Sequence, residues 1–208
     1  MNAGTVSNQG TFSCNNINFS GASSVFNNSG TFTASSTFGY NGGTFNNNGV
    51  FTHTSSITFN GMALVNNGTV NITTNLTHNN PTLTNNSGTI IIGGNFLVNN
   101  NTVNYNCINV SGNFTNNNNV SGPVTGCGRI NVGGNSLNLG NFGVVGTLDL
   151  CDSGGPLGGW DTQWGTVGGS TTYCGCSCNS VPLPIELLEF NAQAENEEEK
   201  TCLLTKPS

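Results

Sequence analysis

The chain has 208 residues, of which 30 are glycine and 39 asparagine, and only 6% are charged, against the roughly 25% of an average soluble domain. Its net charge is −6, yet all nine acidic residues lie at or beyond Asp149, and residues 1–148 carry a single ionised side chain, Arg129. That distribution excludes a basic footprint for nucleic acid and a carboxylate pair for glycoside chemistry in the first 148 residues. No stretch of about 20 apolar residues is present to span a membrane.

The opening residues Met1-Asn2-Ala3-Gly4-Thr5-Val6 already belong to a repeated phrase, without a basic and then apolar leader, so an export signal is expected upstream. The phrase returns as Asn8-Gln9-Gly10-Thr11-Phe12, Asn28-Ser29-Gly30-Thr31-Phe32, Asn48-Gly49-Val50-Phe51, Asn67-Gly68-Thr69-Val70 and Asn86-Ser87-Gly88-Thr89-Ile90. A glycine-anchored period of 19–20 residues is the signature of a solenoid. A finer beat runs inside it. Apolar residues fall at Val6, Phe12, Phe19, Phe26, Phe32, Phe38, Phe45, Phe51, Phe59, Leu64, Val70, Leu76, Leu83, Ile90, Phe96 and Val103, in steps of six to eight residues. Helical spacing would need apolar residues at i+3 and i+4. Here the gaps hold Asn, Gly, Ser and Thr, which are poor helix formers.

Short strands such as Thr31-Phe32-Thr33, Ile57-Thr58-Phe59, Thr69-Val70-Asn71-Ile72 and Thr89-Ile90-Ile91-Ile92 fit, with alternate residues pointing inward. Three strands per repeat describe a three-sided parallel β-helix, an all-β fold with about 19–20 residues per coil. Phe32, Phe51, Val70 and Ile90 are expected to form one inward column, and Asn at equivalent positions to bond along the stack. Gly and Asn at the corners are expected to supply positive φ. The uneven steps favour a right-handed coil over a strict hexapeptide left-handed one.

After Val103 the pattern loosens, although Cys107-Ile108-Asn109-Val110 and Arg129-Ile130-Asn131-Val132 keep strand character. The expected organisation is a β-helix over 1–150, a Cys/Gly-rich cap or loop over 151–180, and a linker with the start of a further β domain over 181–208. Terminal turns of a solenoid must shield an open edge, so an atypical end is expected. Six of the eight cysteines fall between Cys107 and Cys178, which points to an oxidising, extracellular setting. The candidates for disulfides are Cys127, Cys151, Cys174, Cys176 and Cys178. Cys127 and Cys151, about one coil apart, form the pair expected to bridge. A soft-metal site at Cys174-Gly175-Cys176-Ser177-Cys178 is the weaker reading, because no His lies near.

The tail changes composition. Leu183-Pro184-Ile185-Glu186-Leu187-Leu188-Glu189-Phe190 resembles the junction that, in Bacteroidetes surface proteins exported by type IX secretion, follows the repeat region. The Asn-Gly-Thr repeats also resemble the stalks of that family. The resemblance implies a secreted or cell-surface location. It also implies truncation before the C-terminal sorting domain, since the apolar, Trp-containing continuation of the strand is replaced by Glu197-Glu198-Glu199-Lys200.

Motifs with chemistry are few. Cys151-Asp152-Ser153-Gly154-Gly155-Pro156 resembles the nucleophile loop of trypsin-like proteases, with Ser153 as nucleophile, but neither His53 nor His78 has the family's context and no Asp precedes Asp149. Both histidines are expected at the surface or at corners. Asp149, Asp152 and Asp161 are close enough in sequence to invite a Ca²⁺ site, on weak grounds. Thr11, Thr31, Thr69 and Thr89 follow the corner glycine and could stack as a surface ladder, the pattern of ice-binding solenoids. The second position, Ser13, Thr33, Asn71 and Ile91, does not sustain it. No catalytic residue, cofactor or metal is expected. The reading is a non-catalytic structural or adhesive module whose partners are glycans or cell-surface and matrix components, with no nucleic acid and no membrane span. Ice binding, or the non-catalytic part of a carbohydrate-active enzyme, are the alternatives.

Overall fold

The computed structural model describes residues 4–15, 21–35, 39–79, 82–178 and the short strands Phe190–Asn191 and Leu203–Leu204. The described residues between 4 and 173 wind into a β-solenoid of about eight turns. Its three parallel sheets hold nine, nine and seven strands. Coil 4 is typical: Ala63–Asn66 lies in sheet 1, Thr69–Ile72 in sheet 2 and Leu76–His78 in sheet 3. The chain then steps down one layer to Leu83–Asn85, again in sheet 1. Among the described residues the only helical segment is the 3₁₀ turn Pro156–Gly158, and no helix is long and apolar enough to cross a membrane.

Alternation of side chains along each strand builds the core. In Thr31–Ala34, Phe32 and Ala34 are buried while Thr31 and Thr33 face out. In-register stacking then aligns like residues. Phe32 pairs with Phe51, Phe51 with Val70, and Val70 with Ile90, as the beat predicts. The Phe32 and Phe51 rings stack with centroids 5.1 Å apart and planes 16° from parallel, and Phe45 meets Phe51 edge-on at 5.0 Å. Such geometry contributes beyond area burial. The middle coils are aliphatic; the last ones return to aromatics, with Phe96, Phe114 and Trp160 stacked in sequence.

A column of asparagines runs inside this thin core. Asn28, Asn47, Asn66, Asn85 and Asn104 are completely buried. From Asn8 to Asn85, each Nδ2 donates to the Oδ1 of the asparagine one coil further on, ending at Asn104, at 2.8–2.9 Å. The second amide proton of each goes to a backbone carbonyl: Val50 from Asn28, Thr69 from Asn47, Thr89 from Asn66, Cys107 from Asn85 and Arg129 from Asn104, at 2.9–3.2 Å. Each interior carboxamide thus uses both donors and accepts one bond. A buried polar side chain this fully satisfied carries little desolvation penalty. Asn116 and Asn138 repeat the arrangement between sheets 3 and 1 in coils 6 and 7.

Next to the ladder stand the corner glycines, whose role differs from the expected one. Gly30, Gly49, Gly68 and Gly88 do not have positive φ. Instead, a Cβ at Gly30 would collide with the Gly10 carbonyl, and one at Gly49 with that of Gly30. Glycine is required there because the corners stack backbone on backbone, not because the chain turns left-handed.

Other expectations are corrected by the register. Val103 does not face inward: Thr102 takes the core position opposite Leu83, and Val103 points outward. A one-residue slip sends every side chain to the opposite face. His53 and His78 are buried, not surface or corner residues. They continue the inward columns, His53 between Ala34 and Ile72, and His78 between Phe59 and Val98. His53 Nδ1 lies 2.7 Å from the Ser55 carbonyl, and His78 Nδ1 lies 3.3 Å from Thr102 Oγ1. The sheets also run on beyond residue 150, through Thr162–Gln163, Thr166–Val167 and Thr172–Tyr173. The expected linker over 181–208 lies outside the described residues, apart from the antiparallel pairing of Phe190–Asn191 with Leu203–Leu204.

The ladder gives a matched pair of substitutions. Asn66→Ala removes the acceptor of Asn47 and the donor to Asn85, both buried, and the donor to the half-buried Thr89 carbonyl. It is expected to cost about 2–4 kcal/mol in urea unfolding. Asn67→Ala, one residue away on the exposed side, breaks one solvated bond to Asn48 and should stay within about 0.5 kcal/mol.

Candidate functional site

The protease-like loop is a structural turn. Asp152 is buried and its Oδ1 accepts from the backbone N–H of Gly154 at 2.9 Å and of Gly155 at 3.2 Å, closing an Asx turn. Ser153 is exposed, and its hydroxyl donates to the Gly133 carbonyl at 3.4 Å. The nearer histidine, His78, lies in coil 4 whereas Ser153 follows the coil 8 strand, so about 19 Å of solenoid separates them at ~4.8 Å per coil. The aspartates do not converge. Asp149 lies beneath the segment 174–178, and Asp161 Oδ2 accepts from Ser136 N at 2.8 Å. Among the described residues no group of three His, Cys, Asp or Glu side chains is placed to hold a metal ion.

Cysteines 174, 176 and 178 form a strap. The segment is bent, with Cys174 at a φ of 51°, and all three of its cysteines are bonded to sheet 2 or its edge. Cys174 joins Cys151 in coil 8, Cys176 joins Cys127 at the start of the coil 7 strand, and Cys178 joins Cys107 in coil 6. The chain therefore runs back along the solenoid, one coil per two residues. The expected Cys127–Cys151 pair is not formed. Gly128 lies opposite Leu148, so Cys127 falls opposite Thr147 and Cys151 is four residues out of register with it, about 13 Å along the strand.

Beneath the strap lies the solenoid's one ion pair among the described residues, Arg129 Nε to Asp149 Oδ2 at 3.6 Å. The fully buried Asp149 also accepts from Thr172 Oγ1 at 2.6 Å and Gly175 N at 2.8 Å, while Arg129 Nη1 donates to the Cys176 carbonyl. The charges serve to seat the strap. Cys14, at the opposite end, is free, and burial raises its pKa above the ordinary thiol value.

On the same sheet, Thr11, Thr31, Thr69 and Thr89 do share one outward column, but Val50 interrupts it and Cys107 follows Thr89. Beside it runs Ser13, Thr33, Thr52, Asn71 and Ile91. The array is neither continuous nor uniform.

The outer face of sheet 1 carries a groove of about 480 Å³ crossing coils 5–8. Its floor includes Val103 and Ser121, which are opposite each other in register. One wall is a surface amide column: Asn119 Nδ2 donates to Asn101 Oδ1 at 3.0 Å, and Asn141 Nδ2 to Asn119 Oδ1 at 2.7 Å. The other wall is Val144 and Val145, 52% and 66% exposed. Backbone geometry sets the path of their loop. Gly143 and Gly146 bracket it with φ of 63° and 77°, Gly122 N donates to the Val145 carbonyl at 3.0 Å, and Thr147 N to that of Pro123 at 2.9 Å. No ionisable side chain lines the groove. The outward turn of Val103 and the Gly-Val-Val-Gly loop were the signals for it in the sequence, hidden by assigning Val103 to the core.

The corner between sheets 3 and 1 adds a second amide column. Asn79, Asn99 and Asn117 each donate to the asparagine one coil back, Asn60, Asn79 and Asn99, at 2.7–2.8 Å. The backbone pattern that places Asn117 there continues to Leu139 and Trp164, the indole being 81% exposed.

Non-reducing peptide mapping is expected to recover Cys107–Cys178, Cys127–Cys176 and Cys151–Cys174 and no peptide joining Cys127 to Cys151. The raised pKa of Cys14 leaves little thiolate at neutral pH, so its alkylation should be slow at pH 7 and accelerate as the pH climbs past the ordinary thiol range. A Cys14 rate at pH 7 equal to that of an unstructured peptide thiol would contradict this. Comparison with protein-family models, curated proteins and solved structures finds no match, so function must be argued from this geometry.

Proposed function

We propose that the chain is a non-catalytic structural and adhesive module of an extracellular bacterial surface protein. The observation that carries the reading is the chemistry of the outer faces. They present amides and hydroxyls bonded from coil to coil, while the acidic and basic side chains of the solenoid, Arg129, Asp149, Asp152 and Asp161, are engaged in holding the strap and turns. A surface so arranged supports rigid display and neutral contact better than turnover. Three disulfides support an oxidising compartment. The resemblance of Leu183–Phe190 to the type IX junction supports export to the cell surface, and that segment lies outside the described residues except for Phe190.

Ice binding has one favourable observation, the shared column of Thr11, Thr31, Thr69 and Thr89. Val50 within it and Ile91 beside it break the flat hydroxyl array that such binding needs.

A glycan and matrix-protein array probed with the oxidised chain tests the proposal, with product release followed in parallel. Retention on at least one neutral carbohydrate or matrix surface without turnover is expected. Hydrolysis of any arrayed substrate, or fluorophosphonate labelling at Ser153 that Ser153→Ala abolishes, would overturn the non-catalytic reading. Ice recrystallisation should proceed unchanged in the presence of the protein, and its inhibition would favour the alternative.

A further inference from the structure

The groove on sheet 1 lies where that sheet departs from its own rule, as sheet 3 does at Leu137, which faces out beside the buried Ser136. Elsewhere on that sheet a strand puts its bulky apolar residue inward, as with Phe26, Phe45 and Leu64. In coil 6 the apolar residue faces out and a threonine faces in. Two coils later a glycine-bracketed loop raises two more valines above the sheet. Nothing in the core uses Val103, Val144 or Val145. Val103 on the floor and Val144 and Val145 on one wall line the groove together with the amide column Asn101–Asn119–Asn141.

From this arrangement we infer that the groove is a binding subsite for a neutral polysaccharide chain, lying along the solenoid axis. The inference deepens the adhesive reading above and rests on it. Four properties select the ligand. The volume, about 480 Å³, is in the range of small-ligand clefts. Asn119, the middle asparagine of the wall, spends one N–H and one lone pair on its neighbours, which leaves one N–H and one lone pair for a ligand. Ser121 and Thr82 add hydroxyls. Donor and acceptor side by side match vicinal hydroxyls, which are both. The valine methyls supply an apolar strip for the C–H face of a sugar ring. The amides recur at the coil spacing, ~4.8 Å, close to the length of one ring along an extended glycan, so successive sugars would meet equivalent amides.

The same observations disfavour other occupants. No cationic side chain lines the groove to neutralise phosphate, sulfate or uronate. A peptide strand would need an unpaired sheet edge, and the strands under the groove, Thr102–Asn104, Asn119–Ser121 and Asn141–Phe142, are paired on both sides within sheet 1.

Affinity electrophoresis of the full, oxidised chain through gels containing galactomannan, laminarin or alginate tests the site. Retardation by at least one of the two neutral polymers, and none by alginate, is expected. Asn119→Ala and Val145→Ser should each weaken that retardation at least tenfold. Asn46→Ala, on the same face near the other end of the sheet, should leave it unchanged. Thermal unfolding followed by circular dichroism, unchanged for Val145→Ser, separates loss of binding from loss of fold. Retardation that survives both groove substitutions would overturn the subsite and leave the adhesive module standing. Equal retardation by alginate, or self-association abolished by Val145→Ser, would overturn the neutral-glycan assignment. Absence of retardation by both neutral polymers overturns the groove as a site for this class, and release of reducing sugar would instead overturn the non-catalytic reading.

Discussion

A carboxamide whose bonds repeat at the distance between two coils is the constraint on which this molecule depends. The asparagine interior requires stacking. Taken alone, one coil would bury Asn66 with its amide unmet, a loss of about 1–3 kcal/mol for each unsatisfied group. Stacked, Asn47, Asn66 and Asn85 satisfy one another and lock the corner carbonyls between sheets 1 and 2. Bonds of this kind also fix register. Sliding a coil by one residue would place an apolar side chain such as Leu64 opposite an amide and orphan both neighbours. The glycines follow from the same demand, because Gly49 over Gly30 lets the corner backbones approach to the spacing that the amides set.

The period and the inward columns were legible in the sequence because each coil repeats the same local pattern. Phe32, Phe51, Val70 and Ile90 stand in one line, as their spacing indicates. Features that depend on how one coil meets another were not legible. Thr102 and Val103 are adjacent and both suit a strand, so the choice of face is made by the neighbours Leu83 and Val120. His53 and His78 read as surface residues by polarity, yet occupy core positions that Ile72 and Val98 fill in adjacent coils. Disulfide partners were hidden for a different reason. Counting residues placed Cys127 and Cys151 one coil apart, but the strand register separates them, and their actual partners arrive from a segment that reverses along the axis.

In the first described coil Val6 and Phe12 are partly exposed in line with the buried columns. At the C-terminal end the strap covers three coils of sheet 2, with the Arg129–Asp149 ion pair beneath it. That division leaves sheet 1 and its corner as the face with neutral polar columns, exposed valines and the Trp164 indole. A fold that spends its interior hydrogen bonds on register can present such a face with little movement, which is what recognition by many weak, repeated contacts needs.

The central claim is that the buried carboxamides are bonded for as long as the coils are stacked. Hydrogen exchange of the asparagine side-chain amides, followed by NMR, measures this directly. The Nδ2 protons of Asn47, Asn66 and Asn85 should exchange as slowly as the strand amides of Phe45 and Leu64, while those of the surface residues Asn48 and Asn67 exchange rapidly. Fast exchange of the interior carboxamides beside protected strand amides would contradict the account and leave apolar stacking alone to hold the coils together.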